Sequence, residues 1–172
     1  NVKNSFIQSE NQQVMVIGQK DLIIISTKDA LLIMPNDKDI NIKKDVQNLS
    51  KKNNEKVQYH PTVYRPWGSF EVLLTKKNYQ VKKLIINSKQ KISYQKHKYR
   101  SEHWIVVKGK ACITKNNKVY NLKKNQSIDI PKGAKHRVEN KEKIPLTIIE
   151  IQTGDKLLEN DIIRFEDIYN RN

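Results

Sequence analysis

Four side chains able to hold a metal ion fall within nine positions of one stretch, Tyr94 to Trp104, which reads YQKHKYRSEHW. They are Gln95, His97, Glu102 and His103, and His136 follows in PKGAKHRVEN. The remaining histidine, His60, stands before a proline. On a strand, residues two apart share a face, so Gln95 points with His97 and Glu102 with Trp104. A divalent cation is bound by neutral imidazole, carboxylate and carbonyl oxygen converging from different strands, and Gln95, His97, Glu102 and His136 supply those donors. A histidine beside a carboxylate also makes a plain hydrogen-bonded pair; it is the four together that point to metal.

The elements that must position these residues are short. In 172 residues there is room for one ordinary domain, or for one domain with an appendage. Hydrophobic residues make up 37% and charged residues 30%, yet DLIIIS, WIVV and PLTIIEI read as buried strands. None of these runs could cross a bilayer, and NVKNSFIQSE has no apolar signal core, so a cytoplasmic, membrane-free protein is expected. A single cysteine, Cys112, fits a reducing compartment. Its setting in KACITK makes it a buried small residue rather than a nucleophile. The net charge of +15 raises the question of a polyanion partner. The lysines are spread in pairs along the chain, without interleaved aromatic residues, which argues against nucleic acid and for solvated faces. A small phosphorylated substrate would still gain from the field.

Residues 1–49 read as a separate piece. VMVIG, DLIIIS and ALLIMP predict a hairpin and a third strand. Ile40, Ile42, Val46 and Leu49 predict a short amphipathic helix capped by Asn36 or Asp37. Residues 50–63 are polar and read as a linker, and YRPWGS after them as a strand entry or packed lid. From there FEVLL, YQVKKLIIN, ISYQKH, HWIVVKGKACIT, KVYNL, QSIDIP, HRVEN and PLTIIEIQ recur at the spacing of an all-β sandwich or barrel. Asn116-Asn117 predicts a hairpin turn, Gly109 a turn or bulge, and Ile162, Phe165 and Ile168 a short terminal helix or irregular arm.

The pattern Gln95-x-His97-x4-Glu102, Gly109, Pro131-x-Gly133-x2-His136 resembles the two metal motifs of the cupin superfamily, with glutamine in place of the first histidine. YRPWGSF (64–70), QKHKYRSEHWIVVKGKA (95–111), NQSIDIPKGAKHRVEN (125–140), IPLTIIEIQTG (144–154) and DIIRFEDIYNR (161–171) are similar to the type II phosphomannose isomerase domain. In that family this domain is usually the C-terminal part of a bifunctional mannose-1-phosphate guanylyltransferase/mannose-6-phosphate isomerase. Residues 4–35 resemble the last strands of the transferase half, whose Gly-rich nucleotide signature is absent here. The expected architecture is therefore all-β: a cupin double-stranded β-helix, jelly-roll-like, over residues 64–172, with a short strand-and-helix appendage over 1–49.

The resemblance implies interconversion of mannose 6-phosphate and fructose 6-phosphate through an enediol, within GDP-mannose and polysaccharide synthesis. Zinc suits the mixed nitrogen and oxygen donors, and the oxygen share also admits manganese, cobalt or magnesium. Arg100, in the turn between the metal-bearing segments, is the first choice for the phosphate, with Arg137 and Arg164 behind it. Ser93 and Lys91 share parity with Gln95 and are expected to contact the sugar. The RxEHW block suggests catalytic roles for Arg100, Glu102 and His103, although parity puts His103 on the face away from Glu102. Two departures stand out: Lys98-Tyr99 replaces a common histidine run, and Asn170 replaces a usual glycine. A sugar-phosphate-binding or interaction cupin without turnover is the alternative, as is a metal cupin for oxygen chemistry, which the glutamine disfavours. A homodimer is the assembly that the extra strands would permit.

Overall fold

The computed structural model describes residues 1–28, 30–37, 39–51, 62–157 and 161–169. The chain forms two compact units, residues 1–61 and 62–172. Among the described residues no helix is long and apolar enough to cross a membrane.

Among its described residues the first unit holds three strands, β1 (Phe6–Ser9), β2 (Leu22–Ser26) and β3 (Leu31–Pro35), and one helix, α1 (Ile42–Lys51). The hairpin is β2–β3, with Leu22 opposite Pro35. The expected strand at VMVIG does not form. Phe6–Ser9 pairs in parallel with β2 instead, and a parallel pair needs a crossover, which residues 10–21 provide. Met15 and Ile17 are exposed on that crossover. The helix begins later than expected: Asn41 Oδ1 accepts from the Lys44 amide, while Asp37 closes a turn onto Asp39.

Among its described residues the second unit carries eleven strands in two sheets. One has the order β11 (Ser127–Ile130), β8 (Arg100–Lys108), β13 (Leu146–Gly154), β6 (Tyr79–Ile86), β5 (Gly68–Thr75), β4 (Thr62–Arg65). The other has the order β10 (Lys118–Lys123), β9 (Lys110–Lys115), β12 (His136–Glu139), β7 (Tyr94–His97), β14 (Ile162–Glu166). Two facing antiparallel sheets with a buried interior make the double-stranded β-helix expected. The linker expected at 50–63 lies mostly outside the described residues, but Thr62 and Val63 already belong to β4, paired with Glu71 and Phe70. The tight turn at Pro66-Trp67 joins that edge strand to β5. Where a short terminal helix or irregular arm was expected there is a strand, because the open edge of β7 accepts Ile162–Arg164 into its ladder. Asn116 and Asn117, both at positive φ, make the β9–β10 hairpin turn, and Gly109 at φ 86° the β8–β9 turn.

Three neighbouring strands of the larger sheet alternate strictly, and their inward residues change character along their length. Leu146 and Ile148 of β13 are followed by Glu150 and Gln152; Val106 and Trp104 of β8 run back to Glu102 and Arg100; Ile86 and Leu84 of β6 run back to Lys82. Register aligns the change: Ile148 lies between Leu84 and Val106, Glu150 between Lys82 and Trp104. One end of the interior is thus an apolar core, burying Trp104, Ile113, Val138 and Ile148 completely. The other end is polar.

Gly154 at the polar end of β13 lies against the β7–β8 turn, so that an added Cβ would meet the Tyr99 carbonyl oxygen at 2.3 Å and Arg100 Cα at 2.9 Å. Both are backbone and cannot swing away. Gly154→Ala is expected to lower stability by about 1–3 kcal/mol; a urea melt with an unchanged midpoint would show that the turn can give way freely.

Candidate metal centre

At the polar end of the interior, β7, β8 and β12 bring His97, Glu102 and His136 together. Their ligand atoms all lie within 4.8 Å of one another, and all three residues are buried. Two backbone carbonyls fix the imidazoles. His97 Nδ1 donates to the Asp161 carbonyl at 3.3 Å and His136 Nδ1 to the Ala134 carbonyl at 2.9 Å. With the proton on Nδ1, each ring turns an Nε2 lone pair inward. Those lone pairs meet Glu102: His97 Nε2 is 3.1 Å from Oε1 and His136 Nε2 is 3.4 Å from Oε2.

The carboxylate is held on one side only. Arg100 Nε donates to Glu102 Oε1 at 3.1 Å, and Gln152 Nε2 reaches the same oxygen at 3.4 Å. Glu102 Oε2 and His136 Nε2 are buried without a hydrogen-bond partner. A buried polar atom left so costs about 1–3 kcal/mol. A cation among the three groups would satisfy them all, and two imidazoles with a carboxylate are a donor set that zinc and its neighbours accept. By both tests the residues fit a divalent metal ion.

The electrostatics agree. Burial alone would raise the Glu102 carboxyl, but the facing imidazoles of His136 and His97 outweigh it and hold it well below the usual carboxylate range. Burial alone would likewise lower His136; the Glu102 carboxylate overcomes that and raises it. Between 3.1 and 3.4 Å the trio needs either protons or a metal ion to be at ease.

Asp161, which sequence reasoning missed, organises the turn beneath. Its two carboxylate oxygens accept from the amides of Lys98 and Tyr99 at 3.0 and 3.1 Å, while its carbonyl orients His97. Missed as well were Lys82, Glu150 and Gln152. Glu150 accepts from Trp104 Nε1 at 2.9 Å and from Gln152 Nε2 at 2.6 Å. The signal was present: these polar residues sit at the parity of Leu84 and Ile148, where only a site would keep them.

The other expected residues divide. Gln95 lies opposite His136 in the ladder and lines the same cavity as Glu102, but its Oε1 accepts from Ser93 Oγ at 2.8 Å. Ser93 also lines that cavity. Lys91 does not; it precedes β7, where an isolated bridge to Glu139 replaces regular pairing, so strand parity does not carry back to it. Arg100 lines the cavity but is 3% exposed, with its Nε on Glu102. Arg164 lines the cavity from β14, whereas Arg137 pairs outside it with Glu166 at 2.8 Å. His103 is on the opposite face of β8, where its Nδ1 meets Asp129 Oδ1 at 2.5 Å.

Comparison with known proteins places these features in a family. Residues 52–167 match the family described as mannose-6-phosphate isomerase C-terminal, and residues 1–49 a mannose-phosphate isomerase/GMP-like beta-helix domain. The mannose-1-phosphate guanylyltransferase ManC of Salmonella typhimurium is 41% identical over 98% of this chain and 35% of its own length. The alginate biosynthesis protein AlgA of Pseudomonas syringae pv. tomato is 42% identical over the same shares. The chain thus spans about a third of the length of these relatives. Among solved structures, the oxalate decarboxylase of Lactobacillus farciminis superposes with a TM-score of 0.54 at 17% identity, covering 60% of this chain and 33% of that one. A double-stranded beta-helix protein of Klebsiella pneumoniae gives 0.51 at 18% identity, covering 62% and 85%. These two bear on the fold alone, which is that of the cupins. From Lys52 to Asp167, this chain belongs to the mannose-6-phosphate isomerase C-terminal family.

Proposed function

We propose that the second unit is a metal-dependent isomerase interconverting mannose 6-phosphate and fructose 6-phosphate, and that it serves GDP-mannose and polysaccharide synthesis. The relatives' names support the pathway. The observation that carries the reading is the trio of His97, Glu102 and His136, in which Glu102 Oε2 and His136 Nε2 are buried without a hydrogen-bond partner and Glu102 lines a polar cavity. His97 Nε2, His136 Nε2 and Glu102 Oε2 would hold the ion, with zinc the best match and manganese, cobalt or magnesium admitted; Gln95 would join after its amide left Ser93. Once bound, such an ion supplies a Lewis acid for the oxygens on the sugar's first two carbons.

The chain's own groups do the rest. Moving a proton between adjacent carbons needs a base beside the carbon acid. The cavity is lined by two carboxylates, Glu102 and Glu150. Glu150 has both oxygens engaged by Trp104 and Gln152; Glu102, with Oε2 toward the ion, is assigned to carry the proton on Oε1, which would exchange its bonds to Arg100 and Gln152 for the substrate. Arg100, whose Nε is bonded to Glu102, orients that carboxylate and offers its guanidinium to negative charge building on the sugar oxygens. Trp67 and Phe70 wall the cavity with apolar surface, which sheds water from the reacting end. His103, on the far face of β8, has no part in this step. Upstream guanylyltransfer and assembly into a homodimer are proposals for the longer protein.

In a coupled assay with added divalent metals, the folded chain is expected to turn over mannose 6-phosphate. Glu102→Gln and His136→Ala should each lower kcat/KM by about a hundredfold or more. Absence of turnover with every metal tried would favour a binding cupin over an enzyme.

Protonation and metal compete for His136 Nε2. Because Glu102 raises this imidazole, its proton is held to higher pH than usual, and metal affinity should climb as pH rises through that value and then level off. In the metal-free protein the sign reverses: stability supplied by protonated His136 is present below its unfolded pKa and lost as pH rises through the raised one. Competition titrations across neutral pH, with melts of the metal-free form beside them, measure both slopes. A pH-independent metal affinity would contradict the assignment of His136.

A further inference from the structure

We infer that the outward face of the larger sheet is the surface on which two copies of this chain pair. The inference gives a homodimer its surface and is independent of the isomerase reading, since none of the residues on this face lines the cavity.

An antiparallel sheet with one covered face normally sets apolar residues inward and polar residues outward. Strand β12 does so, alternating inward His136 and Val138 with outward Arg137 and Glu139. The middle of the larger sheet does not. Val81 and Ile85 of β6, Ile105 of β8, and Ile149 and Ile151 of β13 all stand at outward positions, half-buried, so these strands are apolar on both faces at their centre. Register gathers them. One rung runs Leu74, Val81, Ile151, His103, Asp129, and the next runs Glu71, Lys83, Ile149, Ile105, Ser127. Hydroxyls border both: Ser101 and Thr153 lie beyond the first rung, Ser69 and Thr147 beyond the second. An aliphatic centre inside a polar border is the anatomy of a protein interface.

Charge selects a second copy as the occupant. The chain carries +15, which holds two molecules apart unless they meet where that charge is missing. On the two central rungs one positive and two negative side chains, Lys83, Glu71 and Asp129, leave a sum of −1. They also lie on opposite sides of the aliphatic centre. Lys83 pairs with Glu71 at 2.7 Å on the β5–β6 side, whereas Asp129, its side chain 83% exposed, meets His103 on the β8–β11 side. A two-fold axis parallel to the strands, between β8 and β13, lays β6 of one copy over β11 of the other. Lys83 then faces the partner's Asp129 one rung along, and its ammonium has donors left for a second carboxylate. The same axis sets Ile149 and Ile151 against the partner's Ile105 and His103. A hollow bounded by Ser101, His103, Ile151 and Thr153 gives a partner side chain a seat at that end. Five strands by four rungs make roughly 600 Å² of sheet per copy. Two copies together reach about 1,200 Å², the size at which specific interfaces begin.

The test is sedimentation equilibrium of the full chain at physiological ionic strength, which screens the general repulsion. Wild type is expected to be a dimer. Ile149→Glu, outward on β13, should raise the dimer dissociation constant about a hundredfold or more. Asp129→Lys and Lys83→Glu should each raise it about tenfold, and the two together should return it toward the wild-type value. Arg137→Glu, on the outward face of the smaller sheet, should leave it unchanged. The charge variants stand at the border of the face and decide the matter on their own if Ile149→Glu does not fold. A monomeric wild type, its face covered by other segments of the same chain, would overturn the interface. So would a dimer that survives Ile149→Glu, a double charge variant no tighter than the weaker single one, or an Arg137→Glu that weakens pairing as far. Because assembly is read without turnover, an inactive dimer with the expected variant pattern would refute the isomerase and keep the interface, and an active monomer would do the reverse.

Discussion

Two imidazole lone pairs aimed at one carboxylate are a costly arrangement in a buried, low-dielectric setting, and much of the second unit is built to enforce it. The carbonyls of Asp161 and Ala134 fix both rings with the proton on the outer nitrogen. Arg100 and Gln152 take one oxygen of Glu102 and leave the other bare. Relaxation is denied by the surroundings: Trp104 lies edge-on to His136 at 5.3 Å between ring centres, and Gly154 lets the turn carrying Arg100 close against β13. A cation held among these groups would resolve the conflict by taking up the bare oxygen and the inward lone pairs.

The same strands supply both the stability and the site. Along β6, β8 and β13 the inward positions are aliphatic or aromatic at one end and charged or amide at the other, and antiparallel register stacks like with like. The apolar end buries enough surface to fix the strands. The polar end then inherits rigid positions for groups that could not hold themselves together. Trp104 joins the two, packed in the core with its ring and tied to Glu150 through its indole N–H.

The period-two pattern that marks the cupin strands was legible because each long strand buries one full face. So was the convergence of His97, Glu102 and His136, since parity and residue type agree there. Lys82, Glu150 and Gln152 were equally readable from parity but carry no motif, and a lone lysine or glutamate in a strand reads as surface. Asp161 could not be read at all: its role depends on a strand, β14, that leaves its helix-like spacing to fill the edge of β7. Lys91 failed for the opposite reason, a parity rule carried past the end of the strand that justified it. In the first unit, hydrophobicity located β2 and β3 but not β1, whose parallel pairing depends on a crossover that no local pattern announces.

The most direct measurement is anomalous diffraction from crystals of the metal-loaded chain. The account predicts one strong peak bonded to His97 Nε2, His136 Nε2 and Glu102 Oε2, with Arg100 and Gln152 still on Oε1. A peak elsewhere, for instance at His103 and Asp129 on the outer face of β8, or a trio that excludes the metal under saturating conditions, would contradict it.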